Sequence, residues 1–135
     1  MPTGAAPAPS NNTTNEQVQV LHILRKHNGS RRPASWRCDN ITQSKDTSIA
    51  EVTAIRNRLI QTANSDGFEA MHRLFESIAL KDSDCGSHDR GGDLGMFGRG
   101  QMQKPFEEAS FALKIGELSD LVDTDSGIHV ILRLM

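Results

Sequence analysis

The chain has 135 residues, 36% of them hydrophobic, and a formal net charge of −2, enough for one domain with one core. That balance gives no general attraction to nucleic acid or to an anionic membrane, so any anion site must be a local cluster. Two cysteines, Cys38 and Cys85, make no disulfide framework and fit no metal spacing, no segment is apolar enough to span a bilayer, and the first residues of the sequence lack the charged-then-apolar layout of a secretory signal and the Arg of a transit peptide; the expectation is a cytosolic protein, with the nucleus as a second compartment.

Residues 1–15, MPTGAAPAPSNNTTN, are small, Pro-rich and polar. Such a segment cannot bury enough surface to offset its ordering entropy, and a flexible tail is expected ahead of a single domain over 16–135. Val18 to Leu24, V-Q-V-L-H-I-L, reads as a buried strand. His27 to Asn40 has no period and holds Gly29, Ser30 and Pro33, which predicts a loop. Ile49, Val52, Ile55, Leu59 and Ile60 recur at helical spacing, so a helix is expected from near Lys45 to Gln61, capped by Ser44 or Ser48. A second helix begins at Asp66-Gly-Phe-Glu69, with Met71, Leu74, Phe75 and Ile78 as its buried stripe. The Gly-rich stretch from Gly86 to Gly100 embeds Leu94, Met96 and Phe97 and holds a short strand. Pro105 suits a first helical turn and Gly116 a helix end, which predicts a third helix over 105–115. Leu121-Val122, the turn from Asp123 to Gly127, and Ile128 to Met135 form a closing hairpin. The order predicts a small α+β domain with a mostly antiparallel sheet.

Lys26, Arg31 and Arg32 lie in K-H-N-G-S-R-R-P, directly after a strand. A phosphate carries nearly two charges and three acceptor oxygens; Arg offers it paired planar donors and Lys a point charge. A solvated surface cluster has the same pattern. His22 and His129 are each the one polar residue in an apolar strand. A buried imidazole needs partners for both nitrogens, and two neighbouring strands would let the rings satisfy one another; a general base is the alternative. Cys85 lies between Asp84 and Gly86, near His88. Asp82 and Asp84 argue locally against the lowered pKa that a nucleophile needs, so it reads equally as a small, partly buried thiol. Leu94, Met102 and Phe106 suit either a core or a pocket for a compact apolar ring. Turn chemistry accounts for Thr124 and Ser126 in D-T-D-S-G.

These residues stand in a familiar order. S-R-R-P-A-S-W-R (30–37), G-G-D-L-G-M-F-G-R-G-Q-M-Q-K-P-F-E-E-A-S-F-A-L (91–113) and T-D-S-G-I-H-V-I-L-R (124–133) resemble the Pin-type parvulins, the phosphorylation-directed branch of that family of peptidyl-prolyl cis/trans isomerases. The resemblance covers Val18 to the C-terminus. It implies a four-stranded antiparallel sheet flanked by helices, and an isomerase that turns phosphorylated Ser/Thr-Pro bonds of proteins by a noncovalent twist. By matching position, Lys26, Arg31 and Arg32 would hold the phosphate, and Leu94, Met102 and Phe106 the proline. Cys85, His22, His129, Thr124 and Ser126 would line the catalytic centre, and Gln103 would lie beside the substrate backbone. A monomer is implied, with no cofactor, metal, nucleic acid or membrane. The chain departs from the pattern in three places. The WW module usual in animals and fungi has no counterpart in the tail, the stretch near 58–70 is longer, and Asp82 replaces an aromatic. A phosphopeptide-binding module, a phosphate-independent nucleic-acid-binding parvulin, and a thiol hydrolase using Cys85 with His22 or His129 are the competing readings.

Overall fold

The apolar run near the start of the chain forms β1 (Gln17–Arg25) in a computed structural model that describes residues 16–135. The tail expected over 1–15 lies outside the described residues. After β1 come α1 (Lys45–Asp66), α2 (Phe68–Asp82), a 3₁₀ turn (Gly86–Arg90), β2 (Asp93–Gly98), α3 (Lys104–Ala112), β3 (Val122–Thr124) and β4 (Gly127–Arg133). The four strands form one sheet in the order β2-β1-β4-β3, and every pairing is antiparallel. This is the α+β architecture expected above.

β1 and β4 occupy the centre, which is why both read as nearly unbroken apolar runs. Alternation along the strands sends Leu21 and Ile23, with their partners Leu132 and Val130, to one face. There they meet Val52 and Leu59 of α1 and Met71, Phe75 and Ile78 of α2 in the larger core cluster. The opposite face carries Val18, Val20, Phe97 and Ile131, packed against Phe106 of α3 and Leu113 beyond it. His22 and Leu24 continue that second face by the same period of two. His22 pairs with Ile131 and Leu24 with His129, so the two histidines are diagonal neighbours across the central pair.

Several boundaries differ from expectation. α1 runs on to Asp66 rather than Gln61, so the long stretch near 58–70 is mainly helix. Gly67 (φ 93°) alone separates α1 from α2, adopting a conformation that a side chain would disfavour, and its N–H closes α1 on Ala63 O. α3 ends at Ala112, short of 115, because Leu113 turns extended and buries itself in the second cluster. Gly116 therefore serves a later turn, donating its N–H to Arg133 O. Leu121 lies outside β3, and β4 stops at Arg133 rather than Met135. Ser44 is the cap of α1, its Oγ accepting from Thr47 N at 3.1 Å. Ser48 is fully buried and donates instead to Lys26 O at 2.8 Å, tying the start of α1 to the end of β1.

Candidate active site

Where α3 leaves the second face of the sheet uncovered, a cavity of about 170 Å³ opens. Its floor is sheet: His22 and Leu24 from β1 and His129 from β4. Leu94 of β2, Met102 from the following loop and Phe106 of α3 form the apolar walls. Phe106 meets both histidines edge-on, with centroids 5.3 Å from His22 and 5.1 Å from His129. Cys85, Gln103 and Ser126 complete the rim. Thr124 does not line the cavity; it lies behind His129. The structure thus brings together all nine residues assigned by resemblance to the proline pocket, the centre and the substrate backbone.

The polar groups form one chain. His22 Nδ1 lies 3.0 Å from His129 Nδ1, and His129 Nε2 lies 2.7 Å from Thr124 Oγ1. Ser126 N donates to Thr124 Oγ1 at 3.1 Å, and Gln103 Nε2 donates to Ser126 Oγ at 2.8 Å. Gln103 Oε1 in turn accepts from Asp125 N at 3.1 Å, pinning the β3–β4 turn over the cavity. With both rings neutral the chain has two directions: from Thr124 through His129 to His22, which leaves an N–H at His22 Nε2, or from His22 through His129 to Thr124, which leaves that nitrogen bare. An imidazolium at His22, a donor at both nitrogens, allows only the direction that ends on Thr124. In either direction His129 stays neutral, because burial first, and the charge of His22 second, hold its pKa well below the usual histidine range.

Cys85 overturns the local reading of its neighbourhood. Burial alone would push the thiol up, but the His22 side chain, by contact and by charge, together with Ser87, brings it down to about 6. His22 acts on the thiol as a hydrogen-bonding neighbour ahead of its charge, although its Nε2 finds no partner at full hydrogen-bond geometry. Asp84 does not oppose the thiolate as expected, because its charge is already engaged. Its side chain lies 3.5 Å from Arg25 Nη1 and 3.6 Å from Arg37 Nη1, and accepts from Ser35 Oγ at 2.8 Å and Lys26 N at 2.9 Å. Alkylation of Cys85 by iodoacetamide should rise with pH around a midpoint near 6. In His22→Asn the midpoint should move up toward the ordinary thiol range; an unchanged midpoint would remove His22 as the cause.

The three cations share one loop. Arg31 and Arg32 are exposed, and Lys26 is half-buried. Burial lowers the Lys26 pKa, Asp84 opposes this, and the nearby Arg32 and Arg31 charges lower it further. Among the described residues none of the three enters an ion pair, although Arg25, Arg37, Arg56, Arg90 and Arg99 all do. Clustered cations that repel one another and have no carboxylate in ion-pair contact make a site where an anion relieves repulsion. Lys26 also braces the loop from within, donating to Arg32 O at 3.1 Å and Ala34 O at 2.8 Å. Those two bonds leave one ammonium hydrogen for a ligand.

The structure gives several residues roles that sequence reasoning did not assign them. Leu24 lines the cavity floor, and only its register opposite His129 reveals that. Asp84 organises the loop and the Cys85 segment together. Trp36 and His88 stack on each other, although nothing in their spacing joins them.

A family model described as Rotamase: PPIC-type PPIASE domain matches residues 22–134. The chain is 48% identical over 122 residues to the peptidyl-prolyl cis-trans isomerase Pin1 of Arabidopsis thaliana, a match covering 87% of this chain and 95% of that protein. It is 50% identical over 118 residues to the peptidyl-prolyl cis-trans isomerase ESS1 of Saccharomyces cerevisiae, covering 87% of this chain and 65% of that protein. Among solved structures, the peptidyl-prolyl isomerase ESS1 from Candida albicans superposes with a TM-score of 0.78 at 40% identity, over 93% of this chain and 65% of that one. The solution structure of TbPIN1 gives 0.73 at 41%, over 90% and 99%.

Proposed function

Since the chain belongs to the PPIC-type family and is a peptidyl-prolyl cis-trans isomerase, we propose that the bonds it turns are those between a phosphorylated Ser or Thr and the Pro that follows. The observation that carries this is the loop of three cations, Lys26, Arg31 and Arg32, which enter no ion pair among the described residues and are joined to the cavity through Cys85. Lys26 N is bonded to Asp84, the residue before the thiol. An anion held at that loop and an apolar ring held by Leu94, Met102 and Phe106 are the two ends of one phosphoresidue–proline step.

Holding both ends is most of the task. Resonance sets a barrier of roughly 18–20 kcal/mol to rotation of a peptide bond. Uncatalysed X-Pro exchange takes on the order of tens of seconds. Turnover in milliseconds requires lowering the barrier by about 5–6 kcal/mol. No covalent bond has to form. As the C–N bond twists it loses double-bond character, and the carbonyl oxygen loses negative charge. A wall made electron-rich by the Cys85 thiolate penalises the planar amide more than the twisted one, so the difference in energy favours rotation. His22 Nε2 is the nearby nitrogen left open by the histidine chain, and Gln103 with Ser126 steadies the backbone. His129 and Thr124 set the direction in which the hydrogens of that chain point.

The test is cis/trans exchange measured by NMR on matched pSer-Pro and Ser-Pro peptides. Catalysed exchange of the phosphorylated peptide at least about tenfold faster is expected for an anion held by charge-assisted bonds. Equal rates would remove the phosphate from the substrate.

A further inference from the structure

The basic loop is held from behind by an aromatic pair. The indole of Trp36, four residues beyond Arg32, lies flat on the imidazole of His88, with centroids 3.7 Å apart and planes 11° from parallel. Trp36 Nε1 donates to Ser83 O at 2.7 Å. His88 Nδ1 meets Leu80 O at 3.2 Å, and because a carbonyl only accepts, that nitrogen carries a hydrogen. Both rings are therefore anchored to the end of α2 and the residues after it. His88 also belongs to the 3₁₀ turn capped by Cys85, whose Sγ accepts from Ser87 N.

Trp36 is 51% exposed, so burial of its ring does not explain this order. Asp82 is exposed and offers no ring, although the resemblance places an aromatic there; the ring that covers Trp36 comes from His88. Beside the stack runs a charged tie, in which Asp84 takes Ser35 Oγ and lies 3.6 Å from Arg37 Nη1. The segment that presents Arg31 and Arg32 is fastened downstream by both ties. Fastening matters because the two arginines repel each other and carry long, rotamer-rich side chains. A loop already held in shape loses less entropy when the anion arrives.

We propose that His88 is a positioning residue for phosphate recognition: its stack with Trp36 fixes the basic loop against the Cys85 turn, so that selectivity depends on a ring that touches no substrate. This rests on the phosphate reading given above. The experiment compares wild type, His88→Ala and His88→Phe in NMR exchange on pSer-Pro and Ser-Pro peptides. Trp36 is the one tryptophan in the chain, so its emission reports the stack directly. In His88→Ala, KM for the phosphorylated peptide should rise about three- to tenfold, the range set by one aromatic contact, with kcat nearly unchanged and the plain peptide unaffected. Trp36 emission should shift to the red and its anisotropy should fall. His88→Phe, which keeps a flat ring, should restore KM and emission. An equal loss on both peptides, a His88→Phe as poor as His88→Ala, or an unmoved Trp36 emission would each overturn the proposal. A wild type that does not distinguish the peptides is a different result, one that sinks the phosphate assignment and takes this role with it.

Discussion

Replacing Arg31 and Arg32 together by alanine should lower kcat/KM on a pSer-Pro peptide by about 10²–10³-fold, and on Ser-Pro and Glu-Pro peptides by less than about threefold. The size follows from the bonds at stake. A hydrogen bond to a charged group contributes about 1.5–3 kcal/mol, and each 1.4 kcal/mol is roughly a factor of ten. Two such contacts are lost, partly offset because the remaining Lys26 is freed from their repulsion. The effect should shrink as salt is added, since both arginines are exposed to screening. Fold should be preserved, because neither side chain packs in a core cluster or enters an ion pair among the described residues. NMR exchange on the three peptides decides the matter, and comparable losses on all three would end the phosphate role. Lys26 is the poorer choice for this test. Its ammonium holds Arg32 O and Ala34 O, so removing it disturbs the loop as well as the charge.

The second large effect separates the other end of the substrate. Phe106→Ala should destabilise the protein by about 3–5 kcal/mol in urea or guanidinium unfolding, the cost typical of a buried ring removed from a packed core. Phe106 is 4% exposed and belongs to the cluster under α3, where it meets Phe97 and both histidines. Measured below the unfolding transition, kcat/KM should fall at least about tenfold, and by the same factor on phosphorylated and plain peptides, because the apolar grip on proline is common to both. That equality is the signature, since the arginine variant changes selectivity and this one changes only the floor beneath it. Phe106→Leu, which keeps most of the volume, should recover stability before it recovers rate. A Phe106→Ala protein that stays active would place the proline elsewhere.

Much of this was legible in the residues themselves. Each β strand of the centre is an apolar run, and each helix has its stripe, because the periods of the two structures are imposed locally. The Ser44 cap, the loop after β1 and the closing hairpin follow from similarly short-range chemistry. The cation cluster was visible in its spacing, while the roles of the pocket residues were assigned only by resemblance. What escaped depends on contacts between distant segments. α3 ends early because Leu113 has a core to enter, and that core exists only once the sheet is assembled. Asp84 beside Cys85 looked like an opposing charge, because its partners Arg25, Ser35 and Arg37 come from strand and loop far back in the sequence.

The amino-acid order by itself determined the elements and their sequence along the chain, since propensity, period and turn chemistry act over a few residues; the family of the fold was legible only through the resemblance of its long motifs. The lowered pKa values of Cys85 and His129 and the contacts that brace the basic loop were decided only by tertiary structure. Electrostatic and stacking forces act through space at a few ångströms. The packing of the helices on the sheet, rather than proximity in sequence, chose which groups would stand that close.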